Sequence, residues 1–285
     1  MLTQKSYNKR TLECREFDLE IGSRTLIMGI LNVTPDSFSD GGHFNSVGQA
    51  LNHAILMVKE GADIIDVGGE STRPGSDEVE SKEEIKRVVP VIQELKRFIN
   101  KPISIDTYKA SVAEAALEAG ANVVNDVWGL QRDSEIASVV AKYNVPVIVM
   151  HNQYNTEYDN DIIDSMIEFF KNSIAIAHEA GIKNEMIILD PGIGFGKSVD
   201  QNLEVMRRLD EFQVLGYPIL LGISRKSIIG NTIDVPTHDR LEGTIALNAI
   251  GIQMGAEIIR VHDIKENVKA AKMIDAVVRG TYEKR

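Results

Sequence analysis

Three segments of the chain repeat one phrase: Gly61-Ala62-Asp63-Ile64-Ile65, Gly120-Ala121-Asn122-Val123-Val124 and Gly255-Ala256-Glu257-Ile258-Ile259. Each comes after a helix-like stretch and opens a short β-branched run. A glycine just past a helix end, followed at once by a buried strand, is the chemistry of a helix-to-strand junction. A second phrase sets a strand behind a proline, in Pro102-Ile103-Ser104-Ile105, Pro146-Val147-Ile148-Val149 and Pro218-Ile219-Leu220-Leu221. Residues 26–31 and 186–189 bring the apolar runs to eight. They are continuous rather than alternating, which suits parallel strands buried on both faces.

The intervals between the runs read as helices. Val47, Leu51, Ala54, Ile55 and Val58 fall on one stripe, and Ser81-Lys82-Glu83-Glu84 has the pattern of a capping box ahead of Ile85, Val88, Val89, Ile92 and Leu95. Amphipathic segments follow at 109–119, 133–142, 161–180, 201–212, 237–254 and 265–279. Each parallel crossover needs a helix, so the alternation predicts a (β/α)8 TIM barrel. The rival is a doubly wound open sheet, but no Gly-rich dinucleotide turn follows the first strand. Residues 1–24 form an N-terminal extension, with a small β-hairpin over 11–24 turning near Gly22 and closing the N-terminal end of the barrel. The 285 residues are therefore read as a single α/β barrel domain.

Composition narrows the partners. Hydrophobic residues at 43% and charged residues at 26% exclude wholesale disorder. A net charge of −11 argues against nucleic acid, which would need a local basic face. The lone Cys14 permits neither a disulfide framework nor a thiolate metal cluster. Met1 to Arg10 lack the apolar core of a secretory signal, and no apolar run reaches the roughly 18 residues of a membrane span. The expectation is a soluble, cytoplasmic protein.

In a barrel of this kind the C-terminal ends of the strands and the loops after them build the site. Here those ends read Asn32, Asp66, Asp106, Asn125-Asp126, His151, Asp190, Ser224-Arg225-Lys226-Ser227, and Arg260 with His262. Any one of them could be a solvated loop residue; their recurrence at every strand end points to a site on that rim. Two loops stand out. Residues 32–42 are too polar for core, and Gly68-Gly69-Glu70-Ser71-Thr72-Arg73-Pro74-Gly75 places an arginine among glycines and donors, as phosphate-binding loops do. Arg260 and His262 lie two positions apart, so they point to the same side of their strand.

Asn32 through Gly42, Gly68 through Gly75, Ser104-Ile105-Asp106-Thr107, Asn125-Asp126, Asp190-Pro191-Gly192-Ile193-Gly194-Phe195, Ser224 through Ser227 and Arg260-Val261-His262-Asp263 occur in the order of the dihydropteroate synthase family, which the chain resembles from about residue 25 to its end. The resemblance implies a transferase of folate biosynthesis and a target of sulfonamides. It joins (7,8-dihydropterin-6-yl)methyl diphosphate to 4-aminobenzoate, with release of diphosphate. It implies a pterin site of Asp106, Asn125, Asp190 and Lys226, in which a carboxylate meets the paired N–H donors of the pterin edge. Thr72, Arg73, Arg260 and His262 are implied for the diphosphate, and Phe38, Pro74, Phe195 and Ser227 for 4-aminobenzoate. Mg²⁺ is implied at Asn32, which fits magnesium's habit of taking few protein ligands and keeping water, and Asp36 on the adjacent loop is expected to assist directly or through water. The residues expected to serve the chemistry are Asp106, Lys226, Arg260 and His262, in a displacement where ionisation precedes attack by the amine.

Two other readings stay open at this point. A pterin-dependent methyltransferase shares the pterin-reading logic but has no use for Thr72-Arg73-Pro74 or Arg260-Val261-His262. A noncatalytic pterin-binding paralogue would act through a partner protein. His53 and His178 are read as surface or packing residues, and His151 is given no role. The resemblance further implies a homodimer, with the apolar segments 237–254 and 265–279 as candidate contributors to its interface.

Overall fold

The computed structural model describes residues 9–34, 43–71 and 77–281, apart from the side chains of residues 43–46. It opens with an antiparallel hairpin of β1 (Arg10–Cys14) and β2 (Phe17–Ile21). The register pairs Cys14 with Phe17, so the turn is at Arg15-Glu16 and not near Gly22. Arg15 adopts a left-handed φ of 58°, which a two-residue hairpin turn requires. Gly22, also at positive φ, lies past the end of β2 and leads the chain out of the hairpin.

The remaining elements alternate. They run β3 (Leu26–Asn32), α1 (His43–Glu60), β4 (Ile64–Gly68), α2 (Ser81–Phe98), β5 (Ile103–Asp106), α3 (Ala110–Ala119), β6 (Val123–Asp126), α4 (Ile136–Tyr143) and β7 (Val147–Met150). After these come α5 (Ile162–Glu179), β8 (Ile187–Asp190), α6 (Val199–Arg207), β9 (Leu220–Leu221), α7 (Ser227–Ile233), α8 (Leu241–Gln253), β10 (Ile258–Val261) and α9 (Ile264–Val278). Strands β3 to β10 form one 8-stranded parallel sheet in the order β8-β7-β6-β5-β4-β3-β10-β9. A parallel bridge from Leu189 to Ile219 joins its two ends and closes the barrel. The fold expected from the sequence is therefore present, with one addition: the short helix α7, which the periodicity did not reveal.

The repeated phrase is a helix terminator. Gly61, Gly120 and Gly255 have φ of 110°, 123° and 107°, a region that only glycine enters freely. In each case the next alanine reaches back over the end of the helix: Ala62 N–H to Met57 O, Ala121 N–H to Ala116 O and Ala256 N–H to Gly251 O, all at 2.9 Å. That is the Schellman closure, and it turns the chain straight into the next strand. Asn144 and Gly181 do the same for α4 and α5 in a form too diverged to read as a repeat. The capping box read at Ser81 does not form. The residue before α2, Glu80, makes no side-chain cap, and Glu84 is buried against Lys109 at 2.8 Å instead. A capping box does form at Ser198 and Gln201, ahead of α6.

Strand residues alternate between the barrel interior and the surrounding helices. Ile27, Leu31, Ile65, Val67, Ile105, Val124, Val149, Leu189 and Val261 pack outward in the main core under the helices. Met28, Ile64, Val123, Ile148, Ile188, Leu220 and Ile258 fill the lower barrel. Leu12, Cys14, Leu19 and Ile21 of the hairpin plug that end as part of the same cluster. Burial there pushes the Cys14 thiol up to about 12, so it is a packing residue and not a nucleophile. With one end plugged by apolar side chains, the charged inward positions lie toward the other.

Candidate active site

One step further along the inward-facing rows from the apolar layer lie Asp66, Asp106, Asn125, Asp190 and Arg260, each two residues past an interior position of its own strand. Arg260 is central. Its Nε donates to Asp66 Oδ2 and its Nη2 to Asp106 Oδ2, each at 2.6 Å, and Asn125 Nδ2 donates to the same Asp66 oxygen at 3.1 Å. Two buried carboxylates thus share one guanidinium. Asp66 Oδ1 and Asp106 Oδ1 are buried with no hydrogen-bond partner among the described residues. Desolvation, opposed by Arg260 and reinforced by Asp66, pushes Asp106 up to about 7.

Asp190 faces this cluster. Its Oδ1 accepts the Gly192 N–H at 2.8 Å, so the loop after β8 fixes the carboxylate. Burial raises its pKa, while Lys226, the Gly192 N–H, Arg260 and Lys197 pull it back. A Cβ placed on Gly222 would lie 3.6 Å from Asp190 Oδ2 and 3.9 Å from Arg260 Cδ, so the missing side chain keeps the floor between them open. Gly68 does likewise near Asn32: a Cβ there would be 3.5 Å from Asn32 Oδ1 and 3.8 Å from Asp106 Oδ2.

Lys226 stands at the start of α7, its ammonium bonded to Ile193 O and lying 4.5 Å from the centre of the Phe195 ring. Desolvation lowers it to about 8, against the pull of Asp190 and Asp106. Arg225 before it is held at a left-handed φ of 57° by a two-pronged ion pair with Asp263, which sets the course of the loop. His262 Nδ1 lies 3.0 Å from Ser224 Oγ, and Ser224 Oγ accepts the His262 backbone N–H. The end of β10 is thereby tied to the loop that bears Lys226. Ser227 is exposed at the first position of α7.

Residues 28–262 match the model of the pterin binding enzyme family. The dihydropteroate synthase of Clostridium beijerinckii is 57% identical over 92% of this chain and 97% of its own length. A dihydropteroate synthase structure from Clostridium difficile, in the presence of pteroic acid, superposes with a TM-score of 0.90 at 59% identity, covering 91% of this chain and 98% of that one. The Xanthomonas albilineans enzyme in complex with 7,8-dihydropteroate gives 0.87 at 38% identity over 94% and 98%. The chain belongs to the dihydropteroate synthases. The relatives match nearly end to end, so the comparison spans the whole barrel and not one motif within it.

Of the site residues expected from the sequence, Asn32, Asp106, Asn125, Asp190, Phe195, Lys226, Ser227, Arg260 and His262 lie at this one end of the barrel. Asp36, Phe38, Thr72, Arg73 and Pro74 lie outside the described residues. Arg260, expected on a phosphate, has two of its donors engaged by carboxylates. Three residues were not singled out. Asp66 was seen only as a strand end, although an acid inside the run Ile64-Ile65-Asp66-Val67 was itself a signal, because a parallel strand has no solvated face. Lys197 and His151 form a buried pair, 2.9 Å from Nζ to Nδ1, and nothing in a lysine after Gly-Phe-Gly announces that contact. Asp126, read with Asn125, points outward and caps Trp128 N–H and Leu130 N–H at 2.8 and 2.7 Å. His178 bonds Asn184 on the surface, as expected of a residue without a role in the site.

Proposed function

We propose that this site joins the exocyclic methylene of (7,8-dihydropterin-6-yl)methyl diphosphate to the amine of 4-aminobenzoate, breaking the C–O bond to diphosphate and forming the C–N bond of 7,8-dihydropteroate. The observation that carries the reading is the opposition of Asp190 and Lys226 to the Asp66–Asp106–Arg260 cluster across a floor kept clear by Gly222. Asp190, anchored through one oxygen, offers the other to the paired N–H donors of the pterin edge. Asn125 reads the adjacent edge, its orientation fixed by Asp66, and Lys226 donates to the ring acceptors.

An aryl amine is a weak nucleophile, whereas a dihydropterin can spread positive charge from its methylene into the ring. The C–O bond therefore breaks first. Asp106, with one oxygen free of partners among the described residues, favours the cation that forms. His262, the third donor group of Arg260 and, from the second loop, Thr72 and Arg73 receive the departing diphosphate. The amine then attacks and loses its proton. Phe195, stacked by Lys226, forms one wall for 4-aminobenzoate with Ser227, Phe38 and Pro74, which is also the pocket a sulfonamide would take.

Asn32 suits Mg²⁺: it presents a neutral amide oxygen beside the gap at Gly68, and no cluster of three acidic, His or Cys ligands exists among the described residues to hold the ion without substrate. Bound there with the diphosphate oxygens, the ion would neutralise charge on the leaving group. The chain acts as a homodimer in this reading, through α8, where Ile250 is 42% exposed, and α9, where Met273 and Val277 are 64% and 71% exposed. No helix among the described residues is long and apolar enough to cross a membrane. We place the reaction in the cytoplasm, where a lone thiol such as Cys14 stays reduced.

The test is a turnover assay with both substrates and Mg²⁺, followed by incubation with the pterin diphosphate alone. Slow release of diphosphate without the amine is expected. A strict need for 4-aminobenzoate before any C–O cleavage would overturn ionisation-first. Calorimetry with 6-hydroxymethylpterin separates the subsites: Asp190→Ala should abolish binding and Arg73→Ala should leave it intact while weakening capture of the diphosphate.

A further inference from the structure

Behind the loop that presents Asp190 lies a lysine that the chemistry above does not use. Lys197 is only 8% exposed, and its ammonium has three acceptors within reach: His151 Nδ1 at 2.9 Å, Phe195 O at 3.0 Å and Gly192 O at 3.1 Å. Three N–H bonds meet three lone pairs, which is full satisfaction for a buried ammonium. His151, 2% exposed, belongs to the end of β7 and packs edge-on to Phe169 at 4.7 Å. Burial and the neighbouring Lys197 charge hold its pKa well below the ordinary value, so the ring is neutral and Nδ1 is an acceptor.

The loop has little freedom to be anywhere else. Gly192 has φ of 63°, and a Cβ on it would sit 2.0 Å from His151 O, so the backbone passes hard against β7. Each contact that Lys197 makes backs a contact made on the substrate side. The residue whose carbonyl it holds, Gly192, gives its N–H to Asp190. The next carbonyl, Ile193 O, holds the Lys226 ammonium. Phe195, whose carbonyl Lys197 also holds, lies under that ammonium. We propose that Lys197 is a positioning residue, anchored by His151, that sets the loop after β8 so that Asp190 and Lys226 face a pterin together. The inference rests on the pterin reading of the site.

The groups facing Asp190 are Lys226, Arg260 and Lys197; those facing Lys197 are Asp190, Lys226 and His151. Desolvation lowers Lys197 to about 7, against the pull of Asp190, so its charge is present on the acid side of that value; losing it there leaves Asp190 with two cationic neighbours and raises the pH at which Asp190 takes up a proton. The experiment is calorimetry of 6-hydroxymethylpterin between about pH 5 and pH 8, with KM for 4-aminobenzoate, on the full-length wild type, Lys197→Met and Lys197→Arg. For Lys197→Met, pterin affinity should fall about tenfold, the scale of losing hydrogen bonds from a charged group. Its acid-side loss of binding should also move to higher pH, and KM should rise. Lys197→Arg keeps the charge, so its acid limb should stay at the wild-type position.

Affinity within twofold of wild type at every pH in Lys197→Met would overturn the proposal, as would an equal shift of the acid limb in both variants. Should Lys197→Met fail to fold, His151→Leu removes one acceptor and leaves the lysine. A weaker pterin affinity with the limb unmoved supports the proposal, and unchanged affinity refutes it. Wild-type protein that binds no pterin at any pH condemns the functional reading and not this inference.

Discussion

Replacing Asp106 by asparagine should stabilise the protein while disabling it. Asp66 and Asp106 share Arg260, so with both ionised the buried cluster carries an uncompensated negative charge. Asparagine keeps an oxygen for Arg260 Nη2, and its NH₂ takes the place of Oδ1, which has no partner among the described residues. Hydrogen bonding is thus nearly conserved, and charge is what changes. Asp106 is raised from 3.8 to about 7 by burial, so the folded state binds its proton more tightly than the unfolded chain does. The sign follows directly: the contribution of Asp106 to wild-type stability is fullest below about pH 4 and is lost as pH climbs through about 7. The variant has no such titration. The rise from 3.8 to about 7 corresponds to a relative gain on the order of 2–4 kcal/mol at pH 8, nearly absent at pH 4. Urea unfolding at the two pH values, without substrates, measures it. Turnover should fall at least about 100-fold, the usual consequence of removing an electrostatic group aimed at developing charge. A variant less stable than wild type at pH 8, or a stability difference that does not change with pH, would refute the reasoning.

Lys226, lowered to about 8 by burial, loses its charge as pH rises through that value, so pterin affinity should decline there. Lys226→Met should bind more weakly with that alkaline decline gone, as read by calorimetry against pH. Chelation with EDTA should abolish turnover without unfolding the protein, and added Mg²⁺ should restore it; activity that survives chelation removes the metal from Asn32. Asn144 closes α4 at φ 48° and ψ 55°, so Asn144→Val should cost about 1–2 kcal/mol in urea unfolding. Asn144→Gly should be tolerated.

The linear pattern of residues determined much of this protein. Three glycines after helical stripes specified three helix ends, because positive φ is a local property of one residue. Continuous apolar runs specified buried parallel strands, and polar residues at their ends specified which rim would carry chemistry. The family motifs then named Asp106, Asn125, Asp190, Lys226 and Arg260, and these do meet at one end of the barrel. The turn of the hairpin was misplaced because Gly22 offered a stronger turn signal than Arg15-Glu16, and the pairing of Cys14 with Phe17 overrode it. The Ser81 capping box was lost for a similar reason: Glu84 gains more from a buried ammonium 25 residues away than from its own helix end.

What the tertiary structure alone decided are the partnerships between strands. Asp66 and Arg260 are 194 residues apart in sequence and 2.6 Å apart in space, and Lys197 meets His151 across 46. Nothing in either local stretch encodes such a meeting. Closing eight strands into a barrel brings every second residue to a common axis, and the low dielectric there makes each buried charge depend on whichever opposite charge or lone pair arrives from another strand.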